Sequence, residues 1–271
     1  GGPRFMNQAE RKELWKHEES CALSGRDFSH LQGRYLKGKA PWDYRLKVLD
    51  FLRPGIKILD MGTGSGEFLL SLSHPRQLLT ATEGDPANYR LCLRRLTSLG
   101  VTVVDCTCGE GKEMPFPDNS FDLVLNRHEG YDVGEVRRVL RDGGFFLTEQ
   151  AGGQNSRLLA QRLLPERERP GLAFNLENEA PKFRKAGFRL VCQNQAYPMA
   201  KIMDVGALCF YAKLREREFP GFSVDNCLDR LLLLQREVEE RGCLLNQEHR
   251  FLLIAKNRKG AAGLPSGRGN D

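Results

Sequence analysis

The chain has 271 residues, 40% of them hydrophobic, enough for one large α/β domain or two small ones around a real core. Its 41 basic and 35 acidic residues are interspersed, so the net charge of +6 leans only weakly towards an anionic partner. No apolar run reaches the roughly 20 residues of a membrane-spanning helix, no secretory signal is readable, and eight scattered cysteines fit free thiols, so a cytoplasmic protein is expected.

Gly1 to Phe5, ahead of Met6, read as a leader added to the natural chain. Residues 10–19 predict a short, mostly exposed helix with Leu14 and Trp15 as its apolar members. Residues 35–44 form an aromatic-rich loop that either covers a ligand or packs over a sheet edge. Together, residues 1–45 make an N-terminal helix and cover loop.

From residue 56, short apolar runs alternate with longer amphipathic stretches, the pattern of a parallel sheet wrapped by helices. Strands are predicted at 56–60, 78–83, 101–105, 121–126 and 145–149. Helices are predicted between them at 66–72, 86–99 and 133–140, ended by His74-Pro75, Gly100 and Gly143-Gly144. Helices at 155–164 and 176–186 and a sixth strand at 188–193 follow. Two further helices, at 202–214 and 225–241, read as an insertion over about 200–245 before a last apolar strand at 249–256. The main domain is thus drawn at 46–258, and residues 259–271, polar and Gly-rich, read as a disordered tail.

The segment Ile58-Leu59-Asp60-Met61-Gly62-Thr63-Gly64-Ser65-Gly66-Glu67 sets a glycine loop at a strand-to-helix join, where the backbone turns sharply and approaches a ligand with no Cβ in the way. A helix starting near Gly66 directs free N–H groups and a positive end into the same crevice, as suited to a carboxylate as to a phosphate. The loop is not the dinucleotide fingerprint, because Glu67 stands at its third glycine, and a carboxylate beside a pyrophosphate is electrostatically poor. A nicotinamide-dependent oxidoreductase therefore ranks lowest. Glu83 ends the second strand at the spacing from which a carboxylate accepts hydrogen bonds from a ribose diol, so a nucleoside without its diphosphate is implied.

These residues resemble the class I S-adenosylmethionine-dependent methyltransferases. Three later segments share the likeness: Thr82-Glu83-Gly84-Asp85, the run from Glu110 through Met114-Pro115-Phe116 to Asp122, and Arg138-Val139-Leu140-Arg141-Asp142-Gly143-Gly144. The resemblance runs from about Trp42 to Gln150 and more weakly to Lys256. It implies a Rossmann-like α/β fold, a mostly parallel seven-stranded sheet with helices on both faces, and S-adenosylmethionine as cofactor. It further implies that Asp60, Gly62, Thr63, Gly64 and Gly66 hold the methionine part. Glu83, followed by Gly84, takes the ribose hydroxyls, and Glu110 the adenine amino group, with Asp105 as the alternative. Asn126 lines the methyl end with its backbone and side chain, and Arg127, His128 and Glu129 follow it towards the acceptor.

His128 and Glu129 are the candidate general bases. Against these roles stand ordinary ones: Asp60 as a helix cap, Glu83 and His128 as solvated groups, Trp42 and Tyr44 as packing rather than a sulfonium-facing wall. No metal site is expected, since Cys106-x-Cys108 lacks a second ligand pair. The late helices suit a roof over a small-molecule acceptor. The alternatives are an RNA or protein acceptor, suggested by basic clusters at Arg137, Arg138 and Arg141 and at Lys182, Arg184, Lys185 and Arg189, and a non-catalytic binding module. Oligomeric state is left open.

Overall fold

The structure, a computed structural model, describes residues 5–261, so residues 1–4 of the expected leader and 262–271 of the expected tail lie outside it. In chain order, helix α1 (Gln8–Leu23) opens on a capping box: Asn7 accepts from the Glu10 amide while the Glu10 carboxylate accepts from the Asn7 amide. Strand β1 (Tyr35–Leu36) and helix α2 (Tyr44–Leu49), capped by Asp43, follow. Next come β2 (Ile58–Met61), α3 (Glu67–Ser71), β3 (Leu79–Glu83), α4 (Pro86–Leu96) and β4 (Thr102–Asp105). Helix α4 begins where its sequence says it should, at an Asp85 cap followed by proline. Then come β5 (Phe121–Arg127), α5 (Val133–Val139), β6 (Leu140–Ala151), α6 (Arg157–Leu163), α7 (Leu176–Lys185) and β7 (Phe188–Ala196). The chain continues through β8 (Met199–Ile202), α8 (Val205–Leu214), α9 (Val224–Arg241), β9 (Leu244–Gln247) and β10 (Arg250–Asn257).

Two compact units emerge, drawn differently from the expected 1–45, 46–258 and 259–271. One comprises residues 42–151, 175–195 and 251–261. It holds a seven-stranded sheet in the order β4-β3-β2-β5-β6-β10-β7, and the pairings from β4 across to β6 are parallel. Alternate residues of each central strand serve opposite faces. Ile58, Leu123, Leu125 and Leu147 pack with Val48, Leu69 and Leu96 of α2, α3 and α4. Leu59, Met61, Val124 and Phe146 pack with Val136 of α5 and Phe183 of α7. Both faces are covered, which is why these strands read as continuous apolar runs.

Strand β6 is longer than the expected 145–149 and runs through Gly143-Gly144. A side chain at Gly144 would stand 2.9 Å from the Asp122 carbonyl oxygen, so the glycine allows close strand approach beside a register shift between Phe121 and Leu123. The expected tail is ordered at its start: residues Lys259–Ala261 form a 3-10 turn, pinned where the Lys259 amide donates to Asp142.

The other unit comprises the chain up to residue 41, 152–174 and 196–250, around its own core. Its sheet has the order β1-β8-β9, with antiparallel pairings such as Tyr35 with Ile202 and Ile202 with Leu244. The expected helix at 202–214 is thus corrected: Ile202 closes a strand whose burial alternates, and the helix starts only after Asp204, which accepts from the Ala207 amide. The expected short, mostly exposed N-terminal helix is also corrected. It has 16 residues, and Trp15 is 2% exposed, packed in a core that includes Leu208, Phe210 and Leu231. Replacing Trp15 with alanine leaves a cavity of indole size and is expected to cost about 3–5 kcal/mol, read as a lower urea midpoint with an unchanged slope.

Candidate cofactor site

β2 and β3 lie in parallel register, with Asp60 opposite Ala81, so their C-terminal ends deliver Asp60 and Glu83 to neighbouring positions. The glycine loop between β2 and α3 takes positive φ at Gly62, Gly64 and Gly66 (64°, 63° and 79°), which side chains rarely adopt. Four of its amides donate inside the protein. Gly62 donates to the Thr82 hydroxyl at 3.1 Å, Thr63 to the Thr82 carbonyl at 2.9 Å, Gly64 to Glu83 Oε2 at 2.8 Å and Gly66 to the Thr63 carbonyl at 3.1 Å. Helix α3 opens at Gly66 with no side-chain hydrogen bond capping its first turn.

Carboxylates take the place of amides as the chemistry of the loop. Asp60 is buried, and its Oδ2 accepts from the Thr63 hydroxyl at 2.8 Å. Burial pushes its pKa up to about 7, with Thr63 and Arg127 opposing and Glu83 and Glu129 adding to the rise. Glu83, 7% exposed, accepts from Gly64 through Oε2 and from the Asp85 amide through Oε1 at 3.1 Å. Glu129 reaches over Gly62, where any side chain would collide with its carboxylate. Burial, then the Glu83 charge, raises the Glu129 pKa as well. Three converging carboxylates suit a cation and repel a phosphate.

The remaining glycines differ in purpose. A Cβ at Gly64 would meet nothing within 4 Å, so this face of the loop is open, whereas one at Gly66 would stand 2.6 Å from Leu96. Gly84 packs against Thr107, which a side chain would strike.

Asn126 is fully buried, its Oδ1 accepting from Thr148 at 2.9 Å and Gln150 at 2.7 Å while Nδ2 donates to the Gly130 carbonyl at 3.4 Å. Gln150 Nε2 also donates to the Glu129 carbonyl at 2.9 Å, so this amide network positions Glu129. Glu149 anchors the same segment, accepting from Trp42 Nε1 at 2.7 Å and Arg127 Nε at 3.1 Å, with His128 Nε2 at 3.9 Å. His128 has φ 56°, and its amide donates to the Glu149 carbonyl at 2.9 Å, which turns the chain sharply after β5. Thr148, Glu149 and Gln150 were not singled out in the sequence; strand-terminal polar residues inside apolar runs were the signal available.

Tyr44 is core, its hydroxyl 3.3 Å from the Leu147 carbonyl and 3.4 Å from that of Asn126. Trp42 is fixed by Glu149, so both aromatics have packing roles here. Asp105 pairs in register with Glu83, whereas Glu110 sits exposed in a turn, its charge acting on Tyr131 and Lys182. Among the described residues no cluster of three metal-ligating side chains occurs, and no helix is long and apolar enough to cross a membrane.

Residues 59–148 match the methyltransferase domain family. The ubiquinone/menaquinone biosynthesis C-methyltransferase UbiE of Cupriavidus necator is 31% identical over 103 residues, covering 34% of this chain and 42% of that protein. A fatty-acid O-methyltransferase of Mycolicibacterium smegmatis is 35% identical over 108 residues, covering 36% and 38%. The chain thus spans less than half the length of these curated relatives. Among solved structures, a candidate methyltransferase from Bacillus halodurans C-125 superposes with a TM-score of 0.54 at 15% identity, covering 79% of this chain and 97% of that one. The YcgJ protein of Bacillus subtilis gives 0.54 at 15% identity, covering 80% and 99%. These two likenesses concern the fold. The family match over residues 59–148, the sheet and the order of motifs along it agree with a methyltransferase domain fold.

Proposed function

We propose that the protein binds S-adenosylmethionine at the glycine loop and transfers its methyl group to a small-molecule acceptor. The observation that carries this reading is the pairing of occupied loop amides with three converging carboxylates. That pairing disfavours a pyrophosphate and suits a ligand bearing an ammonium, a sulfonium and a ribose diol.

Each residue has a distinct part. Asp60 Oδ1 makes no hydrogen bond among the described residues and is assigned to the ammonium, which would hold the carboxylate ionised. Each Glu83 oxygen accepts one amide and retains a lone pair for a ribose hydroxyl. The open face of Gly64 admits the ligand against the backbone. Asp105, in register with Glu83, and Glu110 are assigned to the adenine side. When bound, the cofactor supplies an electrophilic methyl group and its own neutral thioether leaving group. The protein's task is then alignment, and removal of a proton where the acceptor is a neutral N–H or O–H. Glu129, placed over the loop by Gln150, and His128, beside Glu149, are the bases assigned to that proton.

The printed names of the relatives, a quinone-pathway C-methyltransferase and a fatty-acid O-methyltransferase, support a small-molecule acceptor. The basic clusters do not favour a nucleic acid: Arg138 pairs with Glu135 and Asp118, Arg141 with Asp122 and Lys182 with Glu179. Eight free thiols support a reducing, cytoplasmic setting.

Calorimetry with S-adenosylmethionine, S-adenosylhomocysteine and NAD tests the site. Micromolar binding of the first two without NAD is expected, and binding of NAD alone would overturn the reading. Transfer of labelled methyl to quinols and fatty acids, against tRNA and protein fractions, then tests the acceptor class.

A further inference from the structure

The unit built on β1, β8 and β9 contains a cavity of about 330 Å³, remote in composition from the carboxylate-lined loop. Its wall divides into two chemistries. Ala160, Leu164, Pro165, Leu172 and Pro220 supply an aliphatic side, and Arg157, Arg167 and Arg169 supply guanidinium groups.

Among the described residues none of these arginines forms an ion pair. Arg157 donates to the Gln154 side chain at 2.7 Å, Arg167 lies over Gly221, and Arg169 donates through Nη2 to the Asn155 carbonyl. Arg169 Nη1 is buried with no hydrogen-bond partner among the described residues. A buried guanidinium nitrogen left without an acceptor is costly to a fold.

Glu218 accepts from the Asn155 side-chain amide through Oε1 at 2.8 Å and from the Tyr211 hydroxyl through Oε2 at 3.1 Å, and its charge acts on Arg169 without a direct ion pair among the described residues. Glu168 is exposed. Glu218 is instead the end of a buried polar chain, in which Tyr211 meets Ser156 and Ser156 accepts from Asn246. Through Asn155, which donates to Glu218 and accepts from Arg169, this chain is tied to the cavity wall.

We propose that this cavity binds an organic anion with an aliphatic body, its acidic head met by Arg157, Arg167 and Arg169 and its apolar part by Leu164, Leu172 and Pro220. Planar guanidinium forks recognise carboxylate and phosphate oxygens alike. The aliphatic side requires that the head carry a hydrocarbon body, which separates such a ligand from a free inorganic ion. The assignment uses this unit's residues alone and stands apart from methyl transfer.

Calorimetry on the full chain with octanoate, octyl phosphate, octanol and inorganic phosphate tests it. Octanoate or octyl phosphate is expected to bind at least about ten-fold more tightly than both octanol and inorganic phosphate, and whichever binds better identifies the head group. Arg169→Met is expected to weaken that binding about ten-fold or more. Arg167→Gln, on an exposed residue, provides a second reading in case Arg169→Met fails to fold. Octanol or inorganic phosphate equalling the amphiphilic anions, no binding of any probe at millimolar concentration, or unchanged binding in a folded arginine variant would overturn the assignment.

Discussion

Glu83→Ala is expected to weaken S-adenosylmethionine binding about 100-fold, the equivalent of about 3 kcal/mol. The residue holds the loop from one side, accepting from Gly64 through one oxygen and from Asp85 through the other. Hydrogen bonds to a charged acceptor are each worth about 1.5–3 kcal/mol, and truncation also removes the acceptors assigned to the ribose. Glu83→Gln separates the two contributions: it retains an oxygen for one amide and should lose about ten-fold. Equal affinity for wild type and Glu83→Ala in calorimetry would place the nucleoside elsewhere.

The second large effect lies in pH, and it has two opposite signs. Asp60 is pushed by burial from an ordinary 3.8 to about 7, so between those values the folded protein binds a proton that the unfolded chain has released. The stability contribution of the neutral acid is therefore present at low pH and is lost as pH rises to about 7. A rise of that size corresponds to about 4 kcal/mol. Asp60→Asn, which cannot ionise, should be more stable than wild type at pH 8 and close to it at pH 4, measured by urea midpoints. Affinity runs the other way, because an ammonium attracts only the ionised form. S-adenosylmethionine should bind wild type about 30-fold more weakly at pH 5.5 than at pH 8, with a much flatter profile for Asp60→Asn. Affinity independent of pH in both proteins would remove Asp60 from contact with the ammonium. Because stability falls while affinity rises, a general unfolding effect cannot imitate the pattern.

Much of the methyltransferase domain was legible along the chain. Runs such as Ile58-Leu59 and Leu123-Val124-Leu125 declare strands buried on both faces, because helices cover both sides of the sheet. The Asp85-Pro86 start of α4 and the glycines with positive φ are local in origin, so the residues concerned announce themselves. Glu83 was readable from its spacing to the loop.

What depends on distant partners was not. β1, β8 and β9 are two to four residues long, and Tyr35 finds Ile202 only after a long excursion of chain, so no local pattern marks the three-stranded sheet. The second unit is assembled from three separate stretches for the same reason. Asn126 shows the limit within the site itself: its position at the end of an apolar strand was readable, but its hydrogen bonds to Thr148 and Gln150 depend on β6 lying alongside. The arginine-lined cavity is a further case, since Arg157, Arg167 and Arg169 look like solvated charges in a row of text. By itself, then, the sequence determined the sheet-forming runs and the glycine loop, because hydrophobic periodicity and glycine geometry act over a few residues. The tertiary structure alone decided which carboxylates converge and which polar groups are already satisfied, because burial and hydrogen-bond partnership are properties of the packed chain.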